Sequence, residues 1–127
     1  MITNTRRPKF LNLLKIHLPV TGVTSFAHRV SGAFLFLSLP LWVYLFSLSL
    51  RDEKSFQLAL TYLSQPWLKL LLLVIVWSFI HHLLAGIRYL LMDVHIGNTL
   101  RTARGSAWAV NFSAFLIFAV IAVWIVI

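Results

Sequence analysis

Cysteine is missing from all 127 residues. The chain therefore makes no disulfide, ligates no iron–sulfur cluster and attaches no c-type haem by itself. Acid is nearly missing too: Asp52, Glu53 and Asp93 stand against eleven Lys and Arg, for a net charge of +8. No basic run is interleaved with exposed aromatics, so nucleic-acid binding is not expected, and in so apolar a chain the positive excess reports topology. A cleavable leader is not expected either. The first apolar stretch is long and no small-residue cleavage site follows it, while Pro8 and Pro19 interrupt any amphipathic transit helix.

What is present is hydrocarbon. Sixty per cent of the residues are hydrophobic and 11% are charged, with a mean hydropathy of +0.88. A soluble domain of this length could not hide that much apolar surface. Twenty-one uncharged residues run from Val30 to Leu50, eighteen from Leu70 to Ile87, and twenty-three from Gly105 to Ile127. About 20 apolar residues cross a bilayer core as a helix. The fold class is thus an all-α membrane protein, one domain over residues 1–127. It has a basic interfacial segment over 1–22 and three transmembrane helices over about 23–50, 66–95 and 105–127. Pro66 suits a first helical turn, and Pro40 should kink the first span.

Lys and Arg set the orientation. Arg6, Arg7, Lys9, Lys15 and Arg29 mark the N-terminal side, and Arg88, Arg101 and Arg104 the second connection, whereas Arg51 and Lys54 are balanced by Asp52 and Glu53. The N-terminus is expected in the cytoplasm and the C-terminus outside, in a multi-pass protein of the bacterial inner membrane. Residues 9–18, KFLNLLKIHL, either lie among the headgroups or dock on a soluble partner.

Polar groups inside the spans need a reason. His82, Gly86, Tyr89 and Asp93 form one helical stripe, and His81, Ala85, Arg88 and Met92 the next. Gly86 removes a side chain one turn from His82 and leaves room for a flat group such as a porphyrin. His82 is either a metal ligand or a hydrogen-bonded packing residue, and His81 reads as structural. In SFAHRVSG, residues 25–32, Ser25 and Arg29 share a face, as do His28 and Gly32. Arg29 and Asp93 close the same ends of their spans, so the two charges are expected at similar depth, as a neutralising pair. Alternatively, Ser25 and Arg29 hold the carbonyl of a quinone head. On that depth scale His82 lies eleven residues, roughly 16 Å, below Asp93, and His28 is too shallow to share an iron with it. A second axial ligand must then come from another chain.

Arg7–Pro8, Pro19, S-x-x-H-R-x-S-G at Ser25–Gly32 and H-x-x-x-G-x-R-x-x-x-x-D at His82–Asp93 resemble the cytochrome b subunit of succinate dehydrogenase, the larger membrane anchor of respiratory complex II. The resemblance covers the whole chain. It implies that His82 is an axial ligand of haem b, that a second small anchor subunit supplies the other ligand, and that His28 and Arg29 reach the haem propionates. It implies a ubiquinone site with Ser25 and Arg29, and partner flavoprotein and iron–sulfur subunits that perform the succinate chemistry. The chain would be a subunit of the enzyme without catalysing succinate oxidation itself. Tyr89 departs from the pattern, since relatives often carry histidine there. A fumarate reductase anchor, or a structural anchor without haem, are the alternatives.

Overall fold

A computed structural model describes residues 18–127. The segment 9–17 and its proposed interfacial or docking role lie outside the described residues. Four helices follow in order: α1 (Val20–Ser49), α2 (Glu53–Leu63), α3 (Pro66–Asp93) and α4 (Leu100–Val126). Three of them, α1, α3 and α4, are long and apolar enough to cross a membrane, as the charge gaps predict.

The boundaries differ from expectation where local hydrogen bonds outweigh charge. The carbonyl of Pro19, an extended residue, receives the N–H groups of Gly22 and Val23 at 2.8 and 3.1 Å, which starts α1 at Val20, inside the predicted interfacial segment. Thr99 caps α4 by accepting from the Thr102 N–H at 3.3 Å. That draws Arg101 and Arg104 into the first turns of the helix, five residues before its predicted start. α1 runs unbroken through Pro40. α3 ends two residues early, on a closed C-terminal turn. Ile96 N–H reaches back to the Leu91 carbonyl at 2.9 Å and His95 N–H to that of Met92 at 3.0 Å. This geometry puts His95 at φ 66°, a place usually held by glycine.

The short helix α2 is the element that the charge gaps do not predict. Asp52 begins it, accepting from Ser55 N–H at 2.8 Å and from the Ser55 hydroxyl at 3.1 Å. These bonds to the charged carboxylate hold its pKa below the usual aspartate range. Phe56, Ala59 and Leu63 then share one face. Together with Leu60 they close a cavity against Trp42, Leu45 and Ser49, so α2 packs back on the end of α1.

α3 is the central helix. Its most apolar stretch is 28% buried, against 11% for α1 and 6% for α4. α4 meets it with small residues, Ala103, Ala107 and Ala114, all buried, which lets two backbones approach. Hydroxyls at the helix contacts bond to their own helix: Thr24 to the Val20 carbonyl, Ser31 to that of His28, Ser78 to that of Val74. They bring no unsatisfied donor into the packing. Large apolar side chains face outward along the spans, among them Phe36, Trp108 and Trp124, as a lipid solvent allows.

Candidate functional site

α1 and α3 cross where two matching four-residue spacings meet. His28 and Gly32 lie one turn apart on α1, and His82 and Gly86 one turn apart on α3. A Cβ at Gly32 would stand 2.9 Å from Cε1 of His82, and one at Gly86 would stand 3.7 Å from Nε2 of His28. Gly32 thus makes the space that the His82 imidazole fills, whereas at Gly86 the His28 ring comes only to ordinary contact distance. The two rings stack with centroids 4.0 Å apart and planes 9° from parallel. The space at Gly86 is taken by His28, where the sequence suggested room for a flat group.

This crossing also fixes depth. In an antiparallel pair with Gly32 against His82 and His28 against Gly86, Arg29 lies level with Ala85 and Ser25 with Tyr89. Asp93, seven residues beyond Gly86, is level with Thr21, seven before His28. Arg29 therefore sits eight residues, roughly 12 Å, deeper than Asp93. The expected Arg29–Asp93 pair does not form, and both side chains are exposed. His28 and His82 share one level, contrary to the expectation of a shallow His28. The charge at a span end was a poor depth marker because a long arginine reaches water from well inside the helix. The two imidazoles still do not face one metal. The lone pairs of stacked rings run in parallel planes and cannot meet head-on.

His82 is held in one tautomer. Its Nδ1 lies 3.0 Å from the His28 carbonyl and 3.4 Å from the Ser31 hydroxyl. A carbonyl only accepts, so Nδ1 carries a proton, and in the neutral imidazole the lone pair is then on Nε2. A backbone carbonyl on the far nitrogen is the usual way in which a ligating imidazole is oriented. Among the described residues no three His, Asp or Glu side chains converge. A metal on Nε2 would thus need its other donors from a prosthetic group or another chain. Nε2 of His28 and the hydroxyl of Tyr89 are buried without a hydrogen-bond partner, on rings 5.2 Å apart. Two orphaned polar atoms beside an aimed imidazole fit the acidic edge and iron of a haem.

Ser25 is half-buried and Arg29 exposed. Neither lines the cavity between α3 and α4 or the one between α1 and α3. Among the described residues they form an open wall.

The neighbouring stripe of α3, turned toward α4, carries a network that the motifs do not announce. His81, which reads as structural, is buried and its Nε2 donates to Asn111 Oδ1 at 3.1 Å. Asn111 Nδ2 donates to Thr24 Oγ1 at 3.0 Å, and Thr24 to the Val20 carbonyl at 2.9 Å. Three spans are joined by one directed chain, with Trp77 stacked on His81 at 5.4 Å. Asn111 is the sole amide in the uncharged run Gly105–Ile127, and that isolation was the available signal. Arg88, also buried, bonds Ser106 Oγ at 2.9 Å and the Ala103 carbonyl at 3.0 Å.

Comparison with known proteins agrees with this architecture. The chain is similar to the succinate dehydrogenase cytochrome b556 subunit of Coxiella burnetii, 36% identical over 123 residues, which span 96% of this chain and 98% of that one. It is 28% identical over 112 residues to the subunit of the same description from Rickettsia prowazekii, covering 88% and 87%. Residues 3–122 match the family described as succinate dehydrogenase/fumarate reductase transmembrane subunit. With its three apolar spans and that match, the chain is a membrane protein and belongs to the succinate dehydrogenase/fumarate reductase transmembrane subunit family.

Proposed function

We propose that the chain anchors a succinate:ubiquinone oxidoreductase in the bacterial inner membrane, N-terminus in the cytoplasm and C-terminus outside, and holds one side of a haem b. The observation that carries this is the orientation of His82: with Nδ1–H donated to the His28 carbonyl, Nε2 is prepared as an axial ligand. When bound, the haem supplies a one-electron carrier within the membrane. A second small anchor subunit contributes the other axial ligand, and flavoprotein and iron–sulfur subunits deliver electrons from succinate. His28 Nε2 and Arg29 would hold the haem propionates, with the Tyr89 ring edge-on to His28.

Ser25 and Arg29 form this chain's wall of the ubiquinone site. The serine hydroxyl donates to a carbonyl oxygen of the quinone head and orients it. The guanidinium favours the negative charge that builds on that oxygen as the quinone takes two electrons and two protons. An open wall is consistent with a pocket completed by partner subunits.

The test uses the assembled complex. His82→Leu keeps apolar bulk in the span and should abolish or alter the low-spin b-type spectrum. Ser25→Ala, three residues from His28, should keep that spectrum while lowering quinone reduction. Succinate oxidation by a soluble dye that accepts electrons upstream should survive in both. An unaltered spectrum in His82→Leu would refute the ligand assignment. Unchanged quinone reductase activity and quinone affinity in Ser25→Ala would refute the quinone assignment.

A further inference from the structure

Arg88 presents a charge-balance problem that the haem and quinone reading does not solve. Its side chain is 6% exposed, in a helix long and apolar enough to span the bilayer. A cation there is costly unless an anion or a set of acceptors compensates it. Two acceptors are present, Ser106 Oγ and the Ala103 carbonyl, and both are neutral. They engage Nε and Nη2, so three of the five guanidinium N–H bonds have no acceptor among the described residues. The flanking ring of Tyr89, 5.1 Å from Cζ, contributes only a cation–π contact.

The chain holds no counter-ion for it. Of its three acids, Asp52 and Glu53 lie at the far end of the bundle, bonded to Ser55 and to the Gln57 side chain. Asp93 is exposed and makes no bond to Arg88 among the described residues. Arg101 and Arg104, exposed on the first turns of α4, add positive charge at the same end, as does the start of α4. None of this chain's acids compensates it.

A cavity of about 310 Å³ opens beside Arg88, between α3 and α4. Its walls are mainly apolar, with Ile87, Leu91 and Val110 prominent, and Arg88, Thr102 and Ser106 are its polar members. Along α3 it runs from Leu84 to beyond the helix end, at Ile96 and Gly97. Leu84 to Asp93 alone spans roughly 14 Å at 1.5 Å per residue. Phosphate, sulfate or a small carboxylate would satisfy the cation but leave this apolar length empty. A neutral lipid would fill the slot and leave the cation uncompensated.

We propose that this cavity is a specific site for an anionic phospholipid, whose phosphate pairs with the free edge of Arg88 while an acyl chain lies along Ile87, Leu91 and Val110. Bound there, the lipid ties the connection between α3 and α4 to the membrane surface on the side where the positive charges collect. The site lies on the α4 side of α3, and its lining includes none of His28, His82, Ser25 and Arg29; the Tyr89 ring, 5.1 Å from Arg88 Cζ, is its link to the His28 ring 5.2 Å further on.

Native mass spectrometry of the detergent-extracted, delipidated complex tests this. Phosphatidylglycerol and phosphatidylcholine of equal chain length are titrated back, with inorganic phosphate as a competitor. Wild-type complex should take up one phosphatidylglycerol per copy of this chain, at least about tenfold more tightly than phosphatidylcholine. Arg88→Gln keeps a donor and removes the charge, and should erase that preference. Ala109→Trp, at an exposed position lining the slot, should reduce binding while Arg88 remains, and it decides the matter if Arg88→Gln fails to assemble. Equal affinity for the two lipids in wild type would overturn the proposal. So would wild-type phosphatidylglycerol binding in either variant, or full displacement by inorganic phosphate. No lipid uptake at all would mean that a partner subunit supplies the anion, and would overturn it equally.

Discussion

The two faces of α3 hold their neighbours by different means. Toward α1 the contact is one of shape: Gly32 is a hollow that His82 fills, His28 lies over Gly86, and the rings stack at 4.0 Å. Toward α4 it is one of directed bonds. His81 joins Asn111, Asn111 joins Thr24, and Arg88 joins Ser106 and Ala103. The difference separates orientation from attachment. The bonded face uses its polar atoms to attach a helix and leaves His81 Nδ1 over. The shape face leaves His28 Nε2 and the Tyr89 hydroxyl without partners and directs His82 by the His28 carbonyl and, at longer range, the Ser31 hydroxyl. Polar atoms left unpaired inside a membrane helix pair are expected where a ligand completes them.

Substituting the two glycines should break the symmetry of the shape face, with the largest effect. In Gly32→Ala the new Cβ meets His82 Cε1 at 2.9 Å, and the ring is pinned by His28 behind it. We expect a loss of about 1–3 kcal/mol from overpacking, with reduced haem content in the assembled complex. Gly86→Ala makes an ordinary 3.7 Å contact and should stay within about 0.5 kcal/mol. Thermal unfolding followed by the haem band compares them, and equal losses would show that the crossing is looser than described.

Asn111→Leu acts on the other face. It removes two bonds between spans and leaves a buried His81 donor unpaired, for a loss of roughly 1–2 kcal/mol by membrane-protein standards. The haem spectrum should not move, since nothing holding His82 has changed. A spectral shift as large as that of Gly32→Ala would mean that the two faces are coupled.

How much of this was legible in the sequence depends on the kind of signal. Spans are read from runs without charge, and those runs mark α1, α3 and α4. The stripe with His82 and Gly86 is a matter of helical period and is equally plain. Depth is not, because relative height is set by how two helices interlock. Once Gly32 seats His82, Arg29 falls level with Ala85, not Asp93. α2 escaped because counting charges hides an Asp52-x-x-Ser55 cap followed by apolar residues at helical spacing. Asn111 escaped because one amide among twenty-three uncharged residues carries no motif, although it finds partners on two other helices.

The turn that ends both faces offers a smaller test. His95 occupies a left-handed conformation at φ 66°, which disfavours any side chain by roughly 1 kcal/mol. His95→Gly should relieve it and raise stability by less than that, since glycine also loosens the unfolded chain. A drop in unfolding temperature would mean that His95 has a partner in the assembled complex.

The smallest effect lies outside both faces, at the cap of α2. Ser55 bonds to the charged form of Asp52 and depresses its pKa. The cap therefore contributes fully above the ordinary aspartate value, near 3.9, and fades as pH falls through the lower, folded value. Protection of the Ser55 and Phe56 amides, relative to their intrinsic exchange rates at each pH, should begin to fall below about pH 5, without a matching change along α3. Flat protection over that range would show that packing on α1, not the cap, holds α2.

The contacts that aim His82 are encoded between His28 and His82: the carbonyl, the Ser31 hydroxyl, the stacked ring and the hollow at Gly32. During synthesis these residues are complete before α4 exists. The aimed nitrogen thus depends only on the first two spans having closed on each other in the bilayer, and α4 joins a pair already set. In biogenesis terms, a nascent chain halted after α3 would already present its imidazole to whatever is to be inserted. On the proposed function, haem capture need not wait for the last helix.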